Sequence, residues 1–231
     1  MTEQDTILNR IRDALRTAAP FPVPGGAPGP TPRPLDLPTA ADHRRVLPAV
    51  GSAFDVQVAL FQKNAAELRA EFNVVLNDEG LTSELCRLRD AECWTRVASH
   101  RWTLTDLAGA ALRLPVLLAD AGYDKSDLET CPVGITECDA LVAQTGSVVV
   151  TARSAGGRAL NVLPPHHVVL ARRDQLVPDL PVAFARLRAR YGQDFPSMIS
   201  FITGPSRTGD IERILVLGAH GPKQLTILLR A

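Results

Sequence analysis

The sequence lacks an excess of charge of either sign. Its 231 residues contain 25 lysines and arginines against 25 aspartates and glutamates, so the formal net charge is zero. A surface that binds nucleic acid generally needs a basic excess to neutralise phosphates. The charge balance therefore argues against a general nucleic-acid-binding surface.

Long apolar runs and targeting signals are also missing. No window approaches the ~20 apolar residues that a membrane-spanning helix needs. The first five residues, Met-Thr-Glu-Gln-Asp, have neither the basic region nor the apolar core of a signal peptide. We therefore expect a cytoplasmic protein without a membrane span.

Cysteines are few, and their spacing does not suit a metal. Cys86, Cys93, Cys131 and Cys138 form two pairs with seven-residue separations, and no CxxC or CxxxC occurs. This spacing argues against a zinc site or a cysteine-ligated iron–sulfur cluster in this chain. We expect the thiols to be reduced.

Three stretches of different composition divide the chain. Residues 1–19 predict an amphipathic helix, with apolar side chains at helical spacing, whose apolar face needs a partner: the body of the protein, a second subunit or another protein. Residues 20–39 are dense in proline and predict an extended linker, with a proline-rich docking ligand as the alternative. Residues 40–231 are predicted to form the compact domain.

The first half of this domain alternates helical and strand patterns. Helices are predicted over 55–71, 81–92 and 103–112, the last capped by Thr103 or Thr105, and strands over 72–76, 96–99 and 115–119. Strands separated by helices are typical of βαβ units, so we predict an α/β fold with a mostly parallel sheet.

The second half has a different pattern. Short strands are predicted over 139–143, 146–151, 159–163 and 167–171, joined by glycine-rich turns. They indicate an antiparallel insertion or edge attached to the parallel sheet. A helix over 180–191, a buried strand over 198–202 and a last strand over 224–229 complete the prediction.

The first candidate site is the segment 134–139, followed closely by Thr145 and Gly146. Glu137 and Asp139 lie two residues apart, and Thr136 directly before them supplies a hydroxyl. Such carboxylates could serve a metal, act as a base or bind a sugar-like substrate. The alternative is a helix cap made by Thr136 or Asp139.

The second candidate is the pair His166 and His167, between two apolar runs. Adjacent strand residues point to opposite faces of a sheet, so only one of them can face a site. A structural histidine is the default interpretation. A metal site with His220 and Glu137 or Asp139 is the sharper alternative, although the spacing is irregular.

The third candidate is the stretch 204–212 with the turn 218–222. A strand is predicted to end at Gly204-Pro205 and a helix to start at Thr208, with Ser206, Thr208 and Asp210 as candidate caps. A helix amino terminus suits an anion, and Arg207 could bind one bidentately. The stretch lacks the spacing of a nucleotide-binding fingerprint, and no Gly-x-Ser-x-Gly elbow occurs in the chain.

These segments together resemble the lactate utilization protein C family, or LUD domain. The matching stretches are Val133-Gly-Ile-Thr-Glu-Cys-Asp139, Gln144-Thr-Gly-Ser147, Leu163-Pro-Pro-His166, Gly204-Pro-Ser-Arg-Thr-Gly-Asp-Ile-Glu212 and Gly218-Ala-His-Gly-Pro222. Gln144 stands where many relatives have Glu, and Gly209 where Ala is common.

The resemblance implies a three-layer α/β/α fold, similar to the sugar-phosphate isomerase and CoA-transferase-like superfamily. It also implies a role in oxidising L-lactate to pyruvate, within a complex whose partner proteins carry iron–sulfur clusters. This chain would then be a non-redox subunit without a cofactor or metal of its own, and it could also form a homo-oligomer.

A free-standing enzyme of the isomerase or acyl-transferase kind is the alternative, with Glu137 or Asp139 as base or nucleophile. In either case we assign binding of a small carboxylate or phosphate-like ligand to one set of residues. That set is Gly134, Thr136, Glu137, Asp139, Thr145, Gly146, His166, Gly204, Pro205, Ser206, Arg207, Thr208, Asp210, His220 and Gly221.

Overall fold

A computed structural model describes residues 47–208, 216–218 and 220–231 of the protein. The predictions for residues 1–19 and 20–39, and for Asp210, lie outside the described residues. Within the described residues, no helix is long and apolar enough to cross a membrane.

Five helices and twelve strands make up the described part of the chain. The helices are α1 (Phe54–Glu67), α2 (Asp78–Ala91), α3 (Thr103–Leu112), α4 (Lys125–Glu129) and α5 (Leu180–Tyr191). The strands are β1 (Glu71–Val75), β2 (Val97–Ser99), β3 (Val116–Leu118), β4 (Val133–Glu137), β5 (Ala140–Val142), β6 (Ser147–Thr151), β7 (His166–Arg172), β8 (Leu176–Val177), β9 (Ile199–Ile202), β10 (Arg207–Thr208), β11 (Val216–Leu217) and β12 (Gln224–Arg230).

The central sheet has six strands in the order β1-β12-β7-β4-β2-β3, and every neighbouring pair is parallel. Its middle strands β4 and β7 are buried along almost their whole length, as expected for parallel strands covered on both faces. The predicted α/β fold with a mostly parallel sheet is confirmed.

Helices α2 and α3 cover one face of this sheet. Leu81 and Leu85 of α2 and Leu104 of α3 belong to the same buried cluster as Ile135 and Val168 of the sheet. The other face is covered by α1 and a second, smaller sheet. Phe61, Ala65, Val148, Val169 and Ile227 form part of that second cluster.

The smaller sheet has the strand order β8-β5-β6-β9. Strand β6 pairs antiparallel with β5 and with β9, whereas β8 pairs parallel with β5. Helix α5 packs on it through Ala183, Leu187 and Tyr191. The predicted antiparallel insertion is therefore present, as a sheet of its own rather than an edge of the central one.

One strand prediction is wrong, and another is right in position but wrong in burial. Residues 159–163 form turns, in which the carbonyl of Ala159 accepts from the amides of Val162 and Leu163. The sequence Pro164-Pro165 follows directly and supplies no N–H for a ladder, which explains the failure. Strand β9 is an edge strand and is only half-buried, not buried as predicted.

The predicted helix starting at Thr208 is also wrong at its start. Arg207 and Thr208 form β10 and pair antiparallel with Leu217 and Val216 of β11. The Ser206 carbonyl accepts from Gly218 N at 2.9 Å, continuing the pairing of the two segments. The backbone groups that we expected at a helix end are therefore used in strand pairing, and residues 209–215 lie outside the described residues.

Gly134 tests the packing of the central sheet. A Cβ at this position would overlap the Leu160 carbonyl oxygen, whereas a Cβ at Gly109 in α3 would meet only Val116 at an ordinary 3.7 Å. We expect Gly134→Ala to lower the free energy of unfolding by about 1–3 kcal/mol. Gly109→Ala should raise it by about 0.5–1 kcal/mol, because alanine favours helix. Urea unfolding measures both, and a neutral Gly134→Ala would contradict the packing.

Candidate functional site

The predicted site residues lie at two opposite edges of the central sheet. Strands β4 and β7 pair in parallel with Val133 opposite His166 and Glu137 opposite Leu170. His166 is therefore at the amino-terminal edge and Glu137 at the carboxyl-terminal edge, roughly 13 Å apart at ~3.3 Å per residue. The structure does not bring the two carboxylates and His166 together.

Glu137, at the carboxyl edge, is fully buried and caps helix α3. Its Oε1 accepts a hydrogen bond from the backbone N–H of Leu104 at 2.6 Å, and Arg172 Nη1 lies 3.0 Å from its Oε2. The Arg172 contact is a close ion pair rather than a well-aligned hydrogen bond. Burial raises the pKa of Glu137, and the Leu104 amide and the Arg172 charge act against that shift.

The predicted cap of this helix by Thr103 or Thr105 is wrong. Trp102 holds the N-cap position without a side-chain cap, and the Thr105 hydroxyl instead donates to the carbonyl of His100 at 2.8 Å. A cap made by a carboxylate from another strand leaves no local sequence signal. The alternative interpretation, that the segment 134–139 supplies a helix cap, is therefore correct. The capping residue is Glu137, however, and not Thr136 or Asp139.

Asp139 is equally buried and locks the turn after β6. Its Oδ2 accepts from Ser154 Oγ at 2.7 Å, and its Oδ1 accepts from the Tyr191 hydroxyl at 2.7 Å. Arg190 Nη1 lies 3.1 Å from the same Oδ1. With both oxygens occupied, Asp139 links the small sheet to helix α5 and has no free acceptor directed at a substrate.

Gly134 and Thr136 also have structural roles. Gly134 leaves room for the Leu160 carbonyl, and Thr136 Oγ1 lies 2.9 Å from His167 Nε2 in a buried hydrogen bond. Burial, with a smaller effect from the neighbouring His166, lowers the pKa of His167 to about 3. His167 is thus a buried structural histidine with one ring nitrogen bonded, and its Nδ1 has no hydrogen-bond partner among the described residues.

His166 faces the other side of β7, as the alternation predicts, and it packs edge-on against Trp94 with ring centroids 5.5 Å apart. Its Nε2 lies 2.9 Å from the Thr226 hydroxyl, which in turn donates to Glu71 at 3.3 Å. Burial lowers the pKa of His166 to about 4, so the ring is neutral near pH 7. Its Nδ1 has no hydrogen-bond partner among the described residues.

A cavity of about 80 Å³ adjoins His166 at this amino edge. Two cations and two carboxylates stand at its rim or walls, together with the Thr226 hydroxyl; the charged residues are Arg69, Lys223, Glu71 and Glu92. Arg69 has a left-handed backbone, with φ of 62°, which is uncommon for a residue with a side chain. Such conformations persist where the surrounding structure holds them, often at functional sites.

The loops 204–206 and 218–223 meet at the same edge. Ser206 N donates to the Pro222 carbonyl at 2.9 Å, and His220 N donates to Ser206 Oγ at 3.4 Å. Lys223 N donates to the Pro165 carbonyl at 2.7 Å, which ties these loops to the start of β7. The predicted proximity of Ser206 to His220 and Gly221 is therefore present.

Gly218 lets the Lys223 side chain pack directly against the backbone of the loop. Its φ is 75°, and a Cβ there would overlap the Lys223 side chain, so the lysine stem lies directly against this glycine. Gly204, with φ of 87°, similarly allows the chain to pass close to the Leu68 carbonyl at the end of α1. These glycines and their turns place Lys223 at the cavity and fix the neighbouring backbone.

Thr145 and Gly146 form the turn between β5 and β6, beside Thr203. The Thr145 hydroxyl donates to Ser147 Oγ at 2.8 Å, and Ser147 and Thr203 share a further hydrogen bond of 2.8 Å. A groove of about 350 Å³ lies here, with Leu180, Phe184 and Phe201 as its apolar walls. The hydroxyls satisfy one another, so the turn is first of all a structural feature.

Gln144 has a role that a glutamate could not fill. Its amide Nε2 donates to the Pro48 carbonyl at 2.7 Å, and a carboxylate has no hydrogen to donate. This hydrogen bond fastens the chain at Pro48 to the turn after β5.

The metal site that we considered from His166 or His167, His220 and Glu137 or Asp139 is not formed, because the carboxylates lie at the opposite edge from His166. Among the described residues, no three His, Cys, Asp or Glu side chains come together as a metal site. Cys131 and Cys138 are buried, Cys93 is exposed, and Cys86 is half-buried.

Sequence reasoning missed most of the cavity wall. Arg69, Glu71 and Lys223 come from three separate places in the chain and match no motif. Thr226 could have been recognised from the sequence as a lining residue, because it is a polar residue within an apolar strand and lies on the same face as Gln224.

Comparison with known proteins identifies a matching family model and several similar proteins. Residues 100–229 match the model of the LUD domain. Lactate utilization protein C from a Geobacillus strain is 37% identical over 114 residues, covering 48% of this chain and 47% of that one. The protein of the same name from Anoxybacillus flavithermus is 33% identical over 133 residues, covering 56% and 59%. The chain thus aligns with about half the length of these relatives.

A solved structure supports the fold. The crystal structure of a DUF162 family protein from Deinococcus radiodurans superposes with a TM-score of 0.61, covering 78% of this chain and 100% of that one. Because the two sequences are only 16% identical, this likeness concerns the fold alone.

The role of Glu137 as a buried cap can be tested by unfolding. Glu137→Ala leaves the Leu104 amide and Arg172 without their partner, and we expect a loss of about 3 kcal/mol. Glu137→Gln should cost less, about 1–2 kcal/mol, because an amide oxygen can still accept from Leu104. As a control, Glu129→Ala removes an exposed pair with Lys125 and should change stability by under about 0.5 kcal/mol. Equal effects at 129 and 137 would contradict the assignment.

The two histidines predict a pH dependence of stability. Their folded-state pKa values, about 4 and about 3, lie below the ordinary 6.5, so their contribution is present above pH 6.5 and is lost as pH falls toward those values. We expect each to contribute about 1 kcal/mol per pH unit between pH 6 and 5. The raised pKa of Glu137 acts in the opposite sense, destabilising the folded state as pH rises.

Variants separate these effects. His166→Asn and His167→Gln should each flatten the slope of unfolding free energy against pH, measured by urea titration, whereas His220→Gln at the exposed histidine should not. If neither His166→Asn nor His167→Gln changes the slope, the loss of stability at acid pH arises from other residues.

Proposed function

The chain belongs to the LUD domain family, and we propose that it serves lactate utilization as a non-redox component that binds a small carboxylate. The observation that carries this proposal is the cavity beside His166, with Arg69 and Lys223 as its cations. Family loops at 204–206 and 218–222 lie beside it, and lactate utilization is what the matching relatives are named for.

The chemistry of the cavity suits a short hydroxy acid. A carboxylate can be held by Arg69 and Lys223, since guanidinium and ammonium groups make strong charge-assisted hydrogen bonds. A ligand hydroxyl can exchange hydrogen bonds with the Thr226 hydroxyl or donate one to Glu71, both of which line the cavity. A volume of about 80 Å³ holds several water molecules, which is the scale of a three-carbon acid.

The same residues favour binding over proton abstraction. A histidine whose pKa is about 4 is a weak base near pH 7, so His166 is better suited to hydrogen bonding than to removing a proton. The candidate bases at the other edge, Glu137 and Asp139, are buried and already paired. No specific observation therefore favours the free-standing isomerase or acyl-transferase alternative.

Oxidation of lactate to pyruvate also needs an acceptor for a pair of electrons. We assign that acceptor to partner proteins carrying iron–sulfur clusters, because the four cysteines of this chain lack cluster-ligand spacing. In this proposal the chain presents or retains the carboxylate, and the partners carry the electrons. Affinity capture with the full chain should recover iron-containing protein from the source cells, and recovery of none would contradict the partner assignment.

Direct binding tests the carboxylate site. We expect calorimetry to detect L-lactate binding, with Arg69→Gln and Lys223→Gln each weakening it about tenfold, equivalent to about 1.4 kcal/mol. Propionate, which lacks the hydroxyl, should bind more weakly than L-lactate.

Arg113→Gln is the matched control. Arg113 is also an exposed arginine with a left-handed backbone, φ 52°, but it ends helix α3 away from the cavity lining. It should leave L-lactate binding unchanged. Absence of any binding to the wild-type protein at tens of millimolar L-lactate would overturn the site, as would equal losses in all three variants.

A further inference from the structure

A second, larger pocket opens at the carboxyl edge of the central sheet. Its volume is about 830 Å³, and it lies where β7 ends at Arg172 and β12 ends at Arg230. In sheets of parallel strands, ligands bind in crevices outside the carboxyl ends of the strands. This volume is in the range of pockets for drug-sized ligands and far exceeds what a three-carbon acid fills.

The pocket concentrates positive charge in a chain that is neutral overall. Arg172, Arg173 and Arg230 line it, and Asp174 is the one acidic side chain among the lining residues. That carboxylate is turned to Arg186, 2.7 Å away. Three guanidinium groups therefore line a pocket whose one acidic side chain is already paired.

These three arginines differ in whether the guanidinium already has an ion-pair partner. Arg172 pairs with Glu137 at 3.0 Å, and Arg230 pairs with the half-exposed Asp78 at 3.1 Å. Arg173 makes no ion pair among the described residues and instead stacks on Phe54, with Cζ 3.7 Å from the ring centroid. The stacked ring holds the planar guanidinium in one orientation while leaving its hydrogens available.

The start of helix α1, which forms part of the pocket wall, adds to the positive potential. Helix α1 begins at Phe54, and its N-cap Ala53 provides no side-chain acceptor for the first-turn N–H groups, while Asp55 places one carboxylate in that turn. The positive end of a helix of this length favours an anion nearby. The remaining lining is mainly apolar, with Leu176, Val177, Pro178 and Val182.

We propose that this pocket binds a phosphorylated organic molecule about the size of a nucleoside diphosphate. Phosphate groups match the guanidinium geometry bidentately and carry enough charge to engage more than one arginine. The apolar wall accommodates the organic part of the ligand, which inorganic phosphate lacks. The site is separate from the carboxylate cavity at the opposite edge and does not depend on it.

Calorimetry with three probes tests the proposal on the full chain: ADP, inorganic pyrophosphate and citrate. We expect ADP to bind more tightly than pyrophosphate, because its organic part packs on the apolar wall, and citrate to bind more weakly than either. Arg173→Gln should weaken ADP binding about tenfold or more. Arg230→Gln should weaken ADP binding too, because it removes a second guanidinium from the pocket lining. It breaks only an exposed ion pair with Asp78, so the fold should stay intact.

Arg188→Gln, at an exposed arginine of α5 outside the pocket lining, is the control and should change ADP affinity less than about twofold. Arg173→Gln should leave L-lactate binding unchanged, which separates this site from the proposed function. The proposal is overturned if wild-type protein binds no ADP at millimolar concentration, if citrate binds more tightly than both phosphate probes, or if Arg173→Gln and Arg188→Gln behave alike.

Discussion

The parallel pairing of β4 with β7 is the constraint on which the rest of the structure depends. Its register places His166 opposite Val133 and Glu137 opposite Leu170. His166 and Glu137, both predicted site residues, therefore lie at opposite edges of the sheet. Because both strands are buried, a slip of one residue would exchange the residues facing the two core clusters, including the packed Gly134. The two edges of the molecule therefore carry separate chemistry.

At the carboxyl edge, buried carboxylates organise structure and arginines face solvent. Glu137 replaces a local cap of α3, and Asp139 joins the small sheet to α5. Burial raises the pKa of Glu137, which makes it costly to keep ionised and explains why Arg172 stands beside it. At the amino edge, a neutral His166 and the cations Arg69 and Lys223 surround a small cavity. One edge suits a large anion, and the other suits a small acid.

The fold was predictable where a single pattern decides an element. Helices 103–112 and 180–191 were predicted at their observed bounds, because amphipathic spacing and flanking breakers agree there. The hairpin at Arg207 and Thr208 was not, since its partner Val216–Leu217 lies beyond the window that a helix start signal covers. The cavity was missed for a related reason: Arg69, Glu71, Lys223 and Thr226 meet only through parallel pairing of β1 with β12.

A crystal structure of the protein soaked with L-lactate would show which edge of the central sheet binds the acid. Density for the carboxylate is expected between the side chains of Arg69 and Lys223, with the hydroxyl within hydrogen-bond distance of Thr226 or Glu71. Density against Glu137 or Asp139 at the opposite edge, or an amino-edge cavity that stays without lactate at saturating concentration, would contradict the proposed carboxylate site.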